Sequence, residues 1–100
     1  MSLHIVGTSF HQVNLEMVFE YESENNNPNK IKCELMAEPS NLHDPNAIRV
    51  VYRGKCKDLQ GVTLAYVKKE ETFLHRTPKT VYIQIYYNNR YSNYCTNVIE

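Results

Sequence analysis

The stretch EPSNLHDPNAIRV, residues 38–50, brings Asn41, His43 and Asp44 together between Pro39 and Pro45. An ionised aspartate is an acceptor only, so Asp44 can take a hydrogen bond from a hydroxyl or amide donor and repels an anion. Asp44-Pro45-Asn46 also has the order of a type I turn, because proline presets φ at the second position and the aspartate accepts backbone N–H groups. Asn41 can close a neighbouring turn in the same way. Two readings are open. The segment is a shaped corner between strands, or it is a corner that also presents His43 and Asp44 to a ligand, since binding groups gather on loops held by a rigid scaffold.

Other chemistry finds less material. The histidines, His4, His11, His43 and His75, lack the i, i+4 spacing of a helical metal site, and Cys33, Cys56 and Cys95 form no C-x-x-C pair. An odd number of unpaired cysteines is expected to stay reduced. No G-x-S-x-G, P-loop or paired-carboxylate motif occurs, and no base is marked beside a cysteine. The expectation is a protein that is not an enzyme and carries no metal or cofactor.

Aromatic and basic residues suit binding instead. Phe10, Tyr66 and His43 offer faces for base stacking, and Lys68 or Lys69 can pair with a phosphate near the start of a helix, where unbonded N–H groups also favour anions. Each has a plainer alternative: Phe10 and Tyr66 as core residues, and the lysines with Glu70 and Glu71 as a solvated first turn. Tyr82, Tyr86, Tyr91 and Tyr94 can line the outside of two strands beside Gln84 and Arg90, facing bases or a protein partner, or packing on one another.

Charge sets a limit on any such binding. The net charge is zero, with four acids and no Lys or Arg in residues 1–28 (−4) and eleven bases against seven acids in residues 29–100 (+4). A neutral chain has no overall field for a polyanion, so binding must come from a local pocket.

The elements that must position these groups follow from alternation. VNLEMVFEY, residues 13–21, places Val13, Leu15, Met17, Phe19 and Tyr21 on one face and predicts a half-buried strand. The Asn-rich SENNNPNK reads as a hairpin loop, and KIKCELM alternates again with Ile31, Cys33 and Leu35 inward, so the two predict an antiparallel pair. AIRVVYR turns Ile48, Val50 and Tyr52 one way and Arg49 and Arg53 the other. GVTLAYV predicts Val62, Leu64 and Tyr66 on a common face, and KKEETFLHR a helix of about two turns that buries Phe73 and Leu74 and stops before Pro78. TVYIQIYY turns Val81, Ile83 and Ile85 to the core, and NNR leads into a last strand, YSNYCTNVI. The predicted fold is mainly β: one domain over residues 1–100, a small OB-like β-barrel of about six strands with one short helix.

Length and composition agree with one modest core. Apolar runs fall far short of the roughly 20 residues that span a bilayer, and MSLHIVG lacks the regions of a signal peptide, so a soluble cytoplasmic protein is expected.

Three blocks together carry a resemblance: I-V-G-T-S-F-H at 5–11, E-P-S-N-L-H-D-P-N-A-I-R-V at 38–50, and A-Y-V-K-K-E at 65–70. Their order and the specific E-P-x-N-x-x-D-P-N-A-I core resemble the HIRAN domain, known from the N-termini of certain SWI/SNF-type DNA-repair helicases and from stand-alone bacterial and phage proteins. The resemblance spans about residues 5–70. It implies an OB-like barrel with a pocket for the free 3′-hydroxyl end of single-stranded DNA, acting in DNA repair or processing beside a helicase or nuclease. Matched position by position, Ser9 and Phe10 follow the first glycine, Asn41, His43 and Asp44 form the loop set, and Tyr66 and Lys69 lead into the helix. Three positions depart from the family's pattern. Ser9 stands for an arginine, removing a phosphate or base contact; His43 stands for a tyrosine; and Ala65 stands for a glycine, narrowing the backbone's approach to a ligand. The reading from another class is a protein-interaction module that uses the tyrosine-bearing strands or a sheet edge and has no affinity for DNA.

Overall fold

Apolar residues at every second position bury one face of each central strand: Ile31, Cys33 and Leu35, then Ile48, Val50 and Tyr52, then Val81, Ile83 and Ile85 all lie in one core. The computed structural model describes residues 3–99. Its strands are β1 (Ile5–Val6), β2 (Ile31–Ala37), β3 (Ile48–Tyr52), β4 (Thr63–Val67), β5 (Lys79–Asn88) and β6 (Asn93–Ile99), and one helix, α1 (Gln12–Asn25), lies between β1 and β2. All pairings are antiparallel, in the order β1-β4-β3-β2-β5-β6. The edge strands β1 and β6 approach each other, so the sheet curls into a nearly closed, small OB-like barrel. Among the described residues, no helix is long and apolar enough to cross a membrane.

The strand expected over residues 13–21 is instead α1, and its expected pairing with β2 does not exist; β2 pairs with β3 and β5. The same residues also carry a helical stripe. Leu15, Val18 and Glu22 are buried at i, i+3 and i+7, with Phe19 partly buried beside them. Gln12, Leu15, Glu16, Met17 and Glu20 are good helix formers, and burying Leu15 and Val18 stabilises the docked helix by roughly 1.5–3 kcal/mol each. The helix leaves Val13 74% exposed, which a strand would have turned inward. Its start is anchored by Gln12, whose Nε2 donates to Thr8 O (3.0 Å) and Tyr94 O (2.8 Å) and whose Oε1 accepts from Tyr94 N (2.7 Å).

A register shift reshapes β4. Val50 pairs with Ala65 but Val51 pairs with Thr63, so Leu64 is an extra residue in a β-bulge. Leu64 and Ala65 both enter the core, and Tyr66, paired with Arg49, turns to the outer face. The expected common face of Val62, Leu64 and Tyr66 is broken there. The helix expected near residue 70 is a 3-10 helix, Lys69–Leu74; it buries Thr72 and leaves Phe73 and Leu74 exposed, the reverse of the apolar pattern.

The floor of the barrel beside α1 holds a polar pair. Tyr52 Oη donates to Glu22 Oε2 (2.9 Å) and accepts from Cys56 N (3.0 Å), while Asn26 Nδ2 donates to Glu22 Oε1 (3.1 Å). The Tyr52 ring passes so close to Gly54 that a Cβ there would lie 2.4 Å from its hydroxyl, so only glycine fits.

Candidate nucleic-acid interface

The connection between β2 and β3 is held at both ends. Glu38 N donates to Ala47 O (2.9 Å) and Ala47 N to Asp44 O (3.0 Å), which closes the turn over Asp44-Pro45-Asn46. Asn41 Oδ1 accepts from His43 N (2.9 Å) and Asp44 N (3.0 Å), and Asp44 Oδ1 accepts from Asn46 N (2.9 Å). These bonds leave Asp44 half-exposed, with Oδ2 taking no hydrogen bond among the described residues. The corner reading and the presenting reading are therefore compatible. His43 is exposed, and Leu42 beside it is 97% exposed.

Glu38 is the hub that ties this loop to β4. Its carboxylate accepts from Asn41 Nδ2 (2.6 Å) and Tyr66 Oη (3.2 Å) and pairs with Arg49 Nε (3.4 Å). Burial, then the Glu38 charge, pushes the Tyr66 hydroxyl above its ordinary pKa, so it stays a donor. On the other side Tyr66 meets the His11 ring at 5.9 Å between centroids. Burial lowers the His11 pKa, so that ring is neutral at pH 7. Phe10 precedes His11 in the chain, and it is 85% exposed rather than core. Gly7, at φ +81°, supplies the left-handed turn that starts the Thr8–Phe10 3-10 helix and lifts Phe10 to the surface.

Asn41, Asp44, Tyr66 and the Phe10–His11 corner are thus joined through Glu38. Lys69 is exposed. The start of its 3-10 helix carries Glu70 and Glu71, and Glu71 accepts from His4 N (2.8 Å) and contacts His4 Nδ1 (2.6 Å). The backbone N–H of His4, then its side chain, holds the Glu71 pKa below its usual value. Lys68 and Lys69 are both exposed at this helix start, beside those carboxylates.

Two residues escaped the sequence reading. Glu38 belongs to the quoted motif, but nothing in its spacing indicates that its carboxylate has three partners. Arg76 donates from Nη1 to Asn46 O (2.7 Å), bringing a guanidinium beside the Asp44 turn from 30 residues away in the chain. Tertiary placement alone makes that neighbour.

The C-terminal tyrosines divide. Tyr82 and Tyr86 lie on the outer face of β5, but Tyr94, expected outside, pairs with Tyr87 on the inner side and packs on Phe19 at 5.3 Å and Tyr87 at 5.0 Å. Tyr91 sits in the turn beneath Arg90. Among the described residues no three His, Cys, Asp or Glu side chains are placed to hold a metal ion, and Cys33, Cys56 and Cys95 are free thiols.

No family model, curated protein or solved structure matches the chain.

Proposed function

We propose that this chain is a cytoplasmic HIRAN-like domain that binds the 3′-hydroxyl end of single-stranded DNA and catalyses nothing itself, serving a helicase or nuclease in DNA repair or processing. The observation that carries the reading is the half-exposed Asp44 carboxylate, with Oδ2 open, on a loop braced through Asn41 and Glu38 against Tyr66. A terminal hydroxyl can donate to that oxygen, and a terminal phosphate meets a like charge. This selects an end and not a sequence. Phe10 supplies an exposed stacking face worth about 1–3 kcal/mol per base. His43 adds a second ring, and Lys69 with Arg76 provides cations for the neighbouring phosphate.

Fluorescence anisotropy with a 5′-labelled oligonucleotide at low salt tests the proposal. The wild type should prefer a 3′-hydroxyl over a 3′-phosphate by about tenfold, roughly 1.4 kcal/mol. Asp44→Ala should abolish the preference. Equal binding to both ends, or no binding, refutes it.

One observation favours a protein-interaction module instead. A groove of about 320 Å³ runs between α1 and β6, lined by Val13, Glu16, Tyr87 and Tyr94 with no Lys or Arg. Its exposed apolar and tyrosine surface suits a polypeptide and repels a phosphate backbone. Absence of DNA binding in the same titration leaves that reading standing.

A further inference from the structure

At the far end of β2 from the Asp44 loop, a groove of about 340 Å³ opens beside the C-terminal end of α1, with Lys30, Lys32, Arg53 and Lys55 around Tyr82. None of the three lysines has an ion pair with a carboxylate among the described residues. Lys30 Nζ lies 5.2 Å from the centre of the Tyr82 ring, a cation–π contact at the groove. The acid of the groove, Glu22, is 1% exposed and already accepts from Tyr52 and Asn26, so it faces a ligand weakly. Four unneutralised or partly neutralised cations in one groove of a chain with no net charge are a local anion trap.

This groove and the Asp44 loop share one surface. Cys33 and Leu35 point into the core, so Lys32, Glu34 and Met36 line the outer face of β2 with Glu38 just past its end, and Arg49 on β3 and Arg53 just past it lie beside them. The acids on that path are each tied to an arginine, Glu34 to Arg53 Nε at 3.0 Å and Glu38 to Arg49 Nε at 3.4 Å. From Lys32 to Glu38 is six residues, or about 20 Å at the rise of a strand. At the 3.4 Å spacing of stacked DNA this is about six nucleotides.

We infer that a single strand whose 3′ end is read at Asp44 runs along the outer face of β2 and β3 and delivers its upstream phosphates to the lysines of this groove. The inference rests on the end-reading proposal for the direction of the strand, while the groove's affinity for a phosphodiester backbone stands on its own cations. The partner class is a polyphosphodiester held by charge, with no base read in the groove.

Oligothymidylates of two to twelve nucleotides, 5′-labelled and ending in 3′-hydroxyl or 3′-phosphate, test it by anisotropy against the wild type and a K30A/K32A/K55A triple variant. These lysines are exposed and make no ion pair among the described residues, and the variant's folding is checked by its thermal melt. In the wild type, affinity should climb with length and level off beyond about six nucleotides. In the triple variant that climb should flatten, and the slope of log K against log salt should shrink by about 2, three contacts at about 0.7 each. The variant should keep its preference for the 3′-hydroxyl. A folded variant with unchanged length and salt dependence overturns the inference, as does competition by thymidine 5′-phosphate equal to that of a ten-nucleotide strand. Equal wild-type affinity for the two ends, with length and salt dependence still lost in the variant, instead sinks the end-reading proposal and leaves the groove as a phosphodiester site.

Discussion

Replacing Glu38 by alanine removes one carboxylate from between the Asp44 loop and β4, and its cost can be worked bond by bond. The shortest contact, Asn41 Nδ2 at 2.6 Å, is charge-assisted, and a hydrogen bond to a charged group is worth about 1.5–3 kcal/mol. The side chain is 25% exposed, so water replaces part of that value, and about 1 kcal/mol is the fairer figure. The Tyr66 bond at 3.2 Å and the Arg49 pair at 3.4 Å are longer, and together they add about 1 kcal/mol. A loss of about 2 kcal/mol lowers the melting temperature of a domain of this size by about 8–16 °C. The loop consequence is separate. Asn41, freed on its Nδ2 side, no longer fixes the backbone N–H groups of His43 and Asp44, so the 3′-hydroxyl preference should fall by about tenfold even in protein that remains folded. Differential scanning calorimetry and the end-preference titration read the two effects, and a cycle with Tyr66→Phe should show coupling, because both changes remove the same bond. A melting temperature within 2 °C of wild type, given the roughly 4–8 °C expected per kcal/mol, would show that Glu38 does not brace the loop.

Removing the hydroxyl in Tyr52→Phe deprives buried Glu22 of a donor and Cys56 N of an acceptor, so urea unfolding at pH 7 should show a loss of about 2–3 kcal/mol; no change would contradict the buried pair. Burial and then Glu22 raise the Tyr52 pKa above its ordinary value of 10, as burial also does for Tyr66 and Tyr94. Above pH 10 the unfolded chain therefore loses protons that the folded one keeps, and stability that is complete below pH 10 declines as pH rises through the folded values. The decline should be shallower in Tyr52→Phe, and an identical slope would assign the alkaline instability elsewhere. Burial, with Glu22 second, pushes the Cys33 thiol up to about 12, so a thiol reagent should label Cys56 and Cys95 in the native protein and Cys33 only after unfolding; equal labelling rates would remove Cys33 from the core.

Three strands were legible from residue order alone, because the side-chain period of a strand is two and Ile31-Cys33-Leu35, Ile48-Val50-Tyr52 and Val81-Ile83-Ile85 obey it without interruption. The turn at Asp44-Pro45-Asn46 was equally local, written in proline's fixed φ and in side chains that reach their own backbone. Residues 13–21 satisfied both periods at once, and the choice between strand and helix fell to what the barrel needed. A helix puts Leu15 and Val18 into the interior and gives Glu22 the hydroxyl of Tyr52, thirty residues away in the chain. The direction of Tyr66 likewise depended on the bulge at Leu64, which belongs to the register between two strands and to neither sequence by itself. Local propensity and alternation decided which segments became strands and turns, since those preferences act within a few residues. The bracing of Asp44 by Glu38, the arrival of Arg76 and the gathering of Lys30, Lys32 and Lys55 around one groove were decided by tertiary packing, because contacts between distant residues exist only once the chain has closed on itself.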